Sequence, residues 1–188
     1  MITELAHVPE GDDFYDAFLS PMRSQMLRSV WRIVRSPELV PDTLQDALTA
    51  IWRCREKIRL HPNPRALILK ITTNVSYDAL RKSLRLQQRE RPAEEGEGTE
   101  PLHEHPGLHL ETDRLEKEMR AAVACLPRKQ AVAVLMRLVH EQPYPLIARA
   151  LACSEPTARI HVMRGRARLR RLLWHFGIRF RVAKGDTP

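Results

Sequence analysis

Near its C-terminal end the chain carries a stripe of polar and basic side chains at helical spacing. The members recur every three or four residues: Thr157, His161, Arg164, Arg168 and Arg171. This spacing places them on one face of a helix. Guanidinium and imidazole groups in such a row can donate hydrogen bonds to phosphates and to base edges. The stripe therefore indicates a nucleic-acid contact, with an ordinary solvated helix face as the alternative interpretation.

The residues around the stripe have the layout of a helix-turn-helix. A short helix is predicted over 144–151, a two-residue turn follows, and Ser154 has a side chain favoured at helix N-caps. The opposite face of the second helix consists of small and apolar residues, namely Ala158, Val162, Gly165, Leu169 and Leu172. In helix-turn-helix proteins the second helix enters the major groove of DNA. The capped turn thus favours DNA binding over a solvated surface.

The N-terminal half is predicted to form long helices, because no glycine lies between positions 12 and 95. The helix after Pro64 carries a polar stripe of three cations, an amide and an aromatic ring: Lys70, Asn74, Tyr77, Arg81 and Arg85. Such a line could hold single-stranded DNA by phosphate contact and stacking, or it could be one side of an amphipathic helix.

A smaller acidic patch is predicted on the preceding helix. Its residues are Asp42, Gln45, Asp46 and Thr49, with Trp52 one turn further on. Acidic groups repel DNA, so the partner expected for this patch is a basic protein surface.

Charge divides the chain of 188 residues into three blocks. The net charge is +4 over 1–91, −7 over 92–118 and +11 over 119–188, which agrees with the overall +8. The segment 92–111 is rich in glutamate, proline and glycine, and we predict an acidic flexible linker there. The fold expected is all-α, with one helical domain at 1–91, a second at 112–174 and a basic tail at 175–188.

No motif of an enzyme or a cofactor site is apparent. The histidines at 103, 105 and 109 fall mostly in the predicted linker, and we expect no metal and no cofactor. The cysteines at 54, 125 and 153 are far apart and are interpreted as small buried residues. Without a signal-peptide pattern or a long apolar run, a cytoplasmic protein is expected.

With these motifs in order, the chain resembles the extracytoplasmic-function sigma factors of bacterial RNA polymerase. The resemblance covers about 14–89 and 115–173. It rests on Asp42-Thr-Leu-Gln-Asp46, on Asn63-Pro-Arg-Ala-Leu-Ile68, on Ile71-Thr-Thr-Asn74 with Asp78-Ala-Leu-Arg-Lys82, and on Leu126-Pro-Arg128, Ser154-Glu-Pro-Thr157 and His161-Val-Met-Arg-Gly-Arg166. Leu67 stands where that family usually has tryptophan, and Ala152 where many helix-turn-helix motifs have glycine.

The resemblance implies three binding sites. The beta-prime clamp helices of core polymerase would dock on Asp42, Gln45, Asp46, Thr49 and Trp52, and the beta flap is a further expected polymerase contact. The minus-ten element would be read and opened by Arg65, Lys70, Asn74, Tyr77, Asp78, Arg81, Lys82 and Arg85. The minus-thirty-five element would be read by Ser154, Glu155, Thr157, Arg159, His161, Arg164 and Arg168. An anti-sigma factor is a common further partner in that family.

Two other functions are compatible with a helix-turn-helix. A stand-alone DNA-binding regulator would bind its promoters without polymerase, whereas a sigma factor would become specific only on the polymerase. A DNA-acting enzyme would need an acidic metal cluster or a nucleophile in the N-terminal half, and neither is apparent.

Overall fold

A computed structural model describes residues 14–90 and 108–174, with the side chains of 90 and 108–111 excepted. Within these ranges the chain is helical and forms no strand, as the sequence predicts. The helices are α1 (Arg23–Val34), α2 (Leu39–Arg53), α3 (Arg55–Arg59), α4 (Pro64–Glu90), α5 (Leu108–Ala124), α6 (Arg128–Leu138), α7 (Tyr144–Leu151) and α8 (Glu155–Leu172). None of them is long and apolar enough to cross a bilayer.

The first predicted helix, over about 14–35, is divided in the structure. A π-helical turn at Tyr15–Leu19 and a 3-10 turn at Ser20–Met22 precede α1. Pro21 lies in the 3-10 turn, where its missing N–H and its ring are incompatible with a continuous α-helical ladder. The second helix is predicted over about 41–57, but α2 ends at Arg53 and α3 follows as a separate short helix.

Helix α4 occupies the centre of the molecule. One side packs on α1 and α2, in a core that contains Met26, Ala47, Ile51 and Ile68. The start of α4 is fixed by Asn63, whose Oδ1 accepts a hydrogen bond from the backbone N–H of Ala66 at 2.9 Å. The helix runs to Glu90, and the sequence predicts its end near Arg89.

The C-terminal domain consists of α6, α7 and α8, with α5 along its side. Its core joins Val132 and Met136 of α6 to Ile147 of α7 and to Ala158 and Val162 of α8. Helix α5 begins at Leu108, earlier than the predicted start of helical periodicity near 112. The intervening segment 91–107 and the tail 175–188 lie outside the described residues, and so do His103 and His105.

The predicted core face of α8 is correct except at its last position. Ala158, Val162, Gly165 and Leu169 are buried, but Leu172 is 38% exposed and Leu173 is buried instead. A spacing of three residues from Leu169 places residue 172 off the core face, whereas a spacing of four, to Leu173, returns to that face. The prediction of buried cysteines is wrong at Cys125, which is exposed, whereas Cys54 and Cys153 are half-buried.

The two domains also pack against each other. Tyr77 of α4 is completely buried among Ala122, Leu126, Val134 and Leu169 of the C-terminal domain. A second apolar contact joins Ile33 and Leu80 to Leu135. The described parts of the chain therefore form one closed arrangement, which the sequence did not predict.

Gly165 permits the close approach of α8 to α6. A Cβ at this position would lie 2.4 Å from Val134 Cγ2 and 3.3 Å from the backbone oxygen of Gln130. Valine is rotamer-restricted, so its methyl group cannot easily withdraw. We expect Gly165→Ala to lower the free energy of unfolding by about 1–3 kcal/mol, despite the higher helix propensity of alanine. Urea denaturation followed by circular dichroism measures the loss.

Val134→Ala provides the control for this prediction, because it removes the methyl group that the new Cβ would meet. In a double-mutant cycle, the two substitutions together should cost less than the sum of the single losses. Strict additivity would contradict the proposed close contact.

Candidate nucleic-acid interface

The helix-turn-helix is built by α7, a tight turn and α8. Ala152 adopts a left-handed conformation, with φ 52° and ψ 52°. The N–H of Cys153 donates to the carbonyl of Ala148 at 3.0 Å, and that of Ala152 to the carbonyl of Arg149 at 3.2 Å. This pattern is a Schellman ending, which usually contains glycine at the left-handed position. The alanine thus keeps the turn that the sequence predicts, although the conformation is disfavoured for a residue with a Cβ.

Ser154 caps the second helix as predicted. Its Oγ accepts a hydrogen bond from the backbone N–H of Thr157 at 3.3 Å and lies 2.8 Å from the Thr157 hydroxyl. Pro156 occupies the first helical turn, where its missing N–H costs no intrahelical hydrogen bond. The cap therefore fixes where α8 begins and which side chains it presents at its N-terminus.

The polar stripe of α8 faces outward. Arg159, Arg164 and Arg168 are exposed, as is Ser154, whereas Glu155, Thr157 and His161 are half-buried. Among the stripe and its neighbours, Arg159 is held in place: it contacts Glu155 Oε1 at 2.7 Å and lies 4.4 Å from the ring centroid of Tyr144. Such a cation held by a carboxylate and a ring is pre-organised for a directed contact.

Two apolar side chains, which the polar pattern in the sequence does not reveal, share the exposed surface of α8. Met163 is 61% exposed and Ile160 is 41% exposed. An apolar side chain in a major groove can contact the methyl group of thymine. In the sequence, both residues lie outside the predicted core face of the helix, which is where exposed side chains are expected.

The acidic patch of α2 lies as predicted on one surface. Asp42, Gln45, Asp46, Thr49 and Trp52 are all exposed. On the opposite face of the same helix Thr43, Ala47 and Ile51 are buried. The patch borders a groove whose other wall is α4, including Asp78 and Lys82. The Trp52 ring is supported by Phe14, with ring centroids 5.9 Å apart, and by the Arg55 guanidinium at 5.4 Å.

The residues predicted to form one DNA-binding face on α4 are not all accessible. Arg65, Asp78, Lys82 and Arg85 are exposed, and Lys70, Asn74 and Arg81 are half-buried. Tyr77 has no exposed surface, and its hydroxyl donates to the carbonyls of Leu126 at 2.5 Å and Ala124 at 3.3 Å. Burial raises the pKa of the Tyr77 hydroxyl, which nearby Arg81 partly opposes.

The Asp78 side chain is also engaged. Its Oδ2 forms an ion pair with Arg128 of α6 at 2.8 Å. In this arrangement, therefore, neither the Tyr77 ring nor Asp78 Oδ2 is available to contact a DNA base. The exposed basic part of α4 lies further along the helix, at Lys82, Arg85 and Arg89.

Leu67 faces the interior of the N-terminal domain. It is half-buried and packs against the core that contains Phe14, Ile51 and Ile58. In this chain the position therefore contributes to packing. The loop just before α4 carries a different apolar side chain into solvent, since Leu60 is 83% exposed.

Comparisons with known proteins match both halves of the chain. The family model for Sigma-70 region 2 matches residues 19–86, and that for Sigma-70, region 4 matches residues 116–169. Together the two models span about two thirds of the sequence. They coincide with α1–α4 and with α5–α8, which carry the surfaces described above.

Among solved structures, the chain is similar to the sigma factor RpoE from Bartonella quintana, determined in complex with the anti-sigma factor NepR. The identity is 23%, the TM-score is 0.51, and the match covers 87% of this chain and 98% of that one. At this identity the likeness concerns the fold, and it agrees with the two family matches. The chain belongs to the sigma-70 family and is a sigma factor of the extracytoplasmic-function type, which binds core RNA polymerase and directs transcription initiation at promoters.

Proposed function

We propose that the two domains of this sigma factor divide its work, with polymerase docking and minus-ten reading at 1–91 and minus-thirty-five reading at 112–174. The observation that carries this division is the segregation of exposed charge. The patch on α2 is acidic, whereas the exposed faces of α8 and of the C-terminal half of α4 are basic. An acidic surface is suited to a basic protein partner, and the basic surfaces are suited to DNA.

The docking surface is the α2 patch of Asp42, Gln45, Asp46, Thr49 and Trp52. We infer that it receives the beta-prime clamp helices, since its carboxylates are exposed and its tryptophan presents 44% of its surface to solvent. Aromatic rings supported by neighbouring side chains are frequent energetic centres of protein interfaces. The C-terminal domain would approach the beta flap.

Asp46→Arg tests the docking surface directly. Asp46 is exposed, so the substitution should leave the fold intact while it places a cation against a basic partner. We expect affinity for core polymerase to fall at least tenfold in a fluorescence-anisotropy titration. Glu38→Arg, at an exposed position just before α2, is the matched control and should bind core normally. Equal affinity of Asp46→Arg and the wild type would show that the docking surface lies elsewhere.

Minus-ten reading is assigned to α4 and to the loop before it. Lys82 and Arg85 are placed to hold phosphates, and the loop at 59–65 to receive an unstacked base of the non-template strand. The exposed Leu60 gives this loop an apolar surface against which a base could pack. Opening of the duplex would then be a shift of a pre-existing equilibrium without covalent chemistry, so we propose no catalytic activity for the chain.

Minus-thirty-five reading is assigned to the N-terminal half of α8. Ser154, Glu155, Thr157 and Arg159 lie at the capped end, which enters the groove first in helix-turn-helix proteins. The same surface continues along the helix, away from the cap, with His161, Arg164 and Arg168. Cations further from the capped end are better placed for phosphates than for bases.

Arg164→Ala distinguishes a base contact from a phosphate contact. If its guanidinium reads a guanine edge, the substitution should cost about 1–3 kcal/mol and relax specificity at one promoter position. Transcription from a library of single-base promoter variants measures both effects. Arg170→Ala removes the same charge from an exposed position outside the stripe and serves as the control. A uniform loss over all variants would identify Arg164 as a phosphate ligand.

The decisive assay for the proposed function is run-off transcription with sigma-free core polymerase and a library of promoter fragments. Transcripts that depend on this chain would support both domain assignments. Sequence-specific binding by the free chain, without transcripts, would favour a stand-alone regulator instead. A sigma factor with these surfaces would work in the cytoplasm, where polymerase acts, and an anti-sigma factor would be expected to cover one or more of them.

A further inference from the structure

The outward side of α8 carries an apolar ridge. Its four residues follow one another at spacings of four, three and four: Pro156, Ile160, Met163 and Ala167. All four are exposed, with Ile160 at 41% and Met163 at 61%. Ile160 follows the buried Ala158 by two residues, which is a rotation of about 200° at 3.6 residues per turn. The ridge therefore faces away from the core of the domain.

Exposed arginines flank this ridge on both sides. They are Arg164, Arg168 and Arg171 along one edge and Arg159 and Arg170 along the other. After Glu155 the helix has no acidic residue. An apolar centre with cations along both edges is complementary to a DNA groove, whose floor consists of base edges and whose walls are two rows of phosphates. The charge therefore favours DNA over a protein as the molecule that covers the ridge.

An apolar side chain can recognise one feature of a base pair in the major groove. The methyl group at C5 of thymine is the apolar group that distinguishes this base there. Cytosine has only a hydrogen at C5 and an amino group next to it, and that amino group would lack an acceptor against an apolar surface. Isoleucine has no hydrogen-bonding group in its side chain, and the thioether of methionine is a weak acceptor. Both side chains are therefore suited to contact with a methyl group.

We propose that Ile160 and Met163 read the 5-methyl groups of pyrimidines in the minus-thirty-five element. This inference rests on the proposed role of α8 and names the chemical group that the helix recognises. 5-Methylcytosine carries the same methyl group as thymine at the same position of the ring. Methylation of a cytosine beneath the ridge therefore strengthens the promoter, and this sigma factor responds to the methylation state of its promoters.

The spacing of the two side chains limits where the methyl groups lie. Ile160 and Met163 are separated by about 4.5 Å along the helix axis, at a rise of about 1.5 Å per residue. Successive base pairs are about 3.4 Å apart along the DNA axis. With α8 lying along the groove, the two residues therefore meet methyl groups one or two base-pair steps apart. We expect two neighbouring methyl-sensitive positions and no general sensitivity over the element.

Exchange of single pyrimidines in the DNA tests the proposal without a change in the protein. A promoter fragment that the holoenzyme transcribes is synthesised with deoxyuridine for one thymidine, or with 5-methyldeoxycytidine for one deoxycytidine. Every base pair contains one pyrimidine, so the scan covers each position of the element whatever its sequence. At a sensitive position, run-off transcription at limiting holoenzyme should fall about three- to fivefold on loss of the methyl group and rise by a similar factor on its addition, as expected for burial of one methyl-sized group.

Met163→Ala connects the effect with the ridge. Met163 is more than half exposed in the middle of α8, so alanine should leave the fold intact. The methyl dependence should disappear at one of the two positions in this variant and at the other in Ile160→Ala. Met163→Leu keeps an apolar side chain of similar size and should retain the dependence. Leu138→Ala removes a 44% exposed apolar side chain from α6 and is the matched control, with the wild-type pattern expected.

The outcomes separate this inference from the proposed function. Equal transcription with and without the methyl group at every position, by a holoenzyme that transcribes the unmodified fragment, would overturn the inference. A methyl effect that persists unchanged in both Met163→Ala and Ile160→Ala would also overturn it, because the methyl group would then act through the shape of the DNA. Absence of transcripts from every unmodified fragment would contradict the proposed function instead.

A protein partner on the ridge would give a different result. Met163→Ala would then bind core polymerase more weakly in the fluorescence-anisotropy titration and would lower transcription from all fragments by the same factor. We expect its affinity for core polymerase to equal that of the wild type. A loss of this affinity with an unchanged methyl dependence would assign the ridge to polymerase and refute the readout of methyl groups.

Discussion

The structure depends on the burial of α4 from two sides. A helix at the centre of a small protein needs apolar or satisfied side chains around most of its circumference, and α4 meets this need in two ways. On the side of α1 and α2 it presents Ile68 and its apolar neighbours. Towards the C-terminal domain it presents Tyr77 and Leu80, and also Thr73 one turn before Tyr77.

Part of the buried surface of α4 can be polar because its hydroxyl groups bind their own helix. Thr72, Thr73 and Ser76 are fully buried, and each donates to the carbonyl four residues earlier at 2.7–3.0 Å. A short side chain that is hydrogen-bonded to its own backbone can be covered by apolar groups without leaving a polar atom unsatisfied. It can also be uncovered into water at little cost. These hydroxyl groups therefore stay hydrogen-bonded whether or not another element covers them.

The sequence predicted the helices and their core faces well where a single periodicity operates. The cap at Ser154 and the small residue at Gly165 are local signals, and the structure places both as expected. The acidic patch of α2 is equally evident in the sequence, because the exposed and buried residues of this helix alternate with the helical period. These features depend on residues close in sequence, so a linear pattern contains them.

Tyr77 shows what helical periodicity alone does not predict. Its position in a polar stripe predicted a DNA contact, but the ring packs on residues 45 to 96 positions later in the chain, from Ala122 to Leu173. Helical spacing specifies which residues share a face and does not specify which partner covers that face. The threonines and serine of α4 have the same ambiguity, since a self-bonded hydroxyl suits a solvent-facing helix as well as a buried one.

The interface between the domains has the composition of a contact that can be broken. Its apolar part is small, with Ile33, Leu80, Leu135 and Tyr77 as the main side chains, and its ion pairs are exposed. Uncovering one such apolar side chain costs about 1.5–3 kcal/mol, whereas each exposed ion pair contributes about 0–1 kcal/mol. Several kilocalories per mole are within the range that a large protein interface can supply.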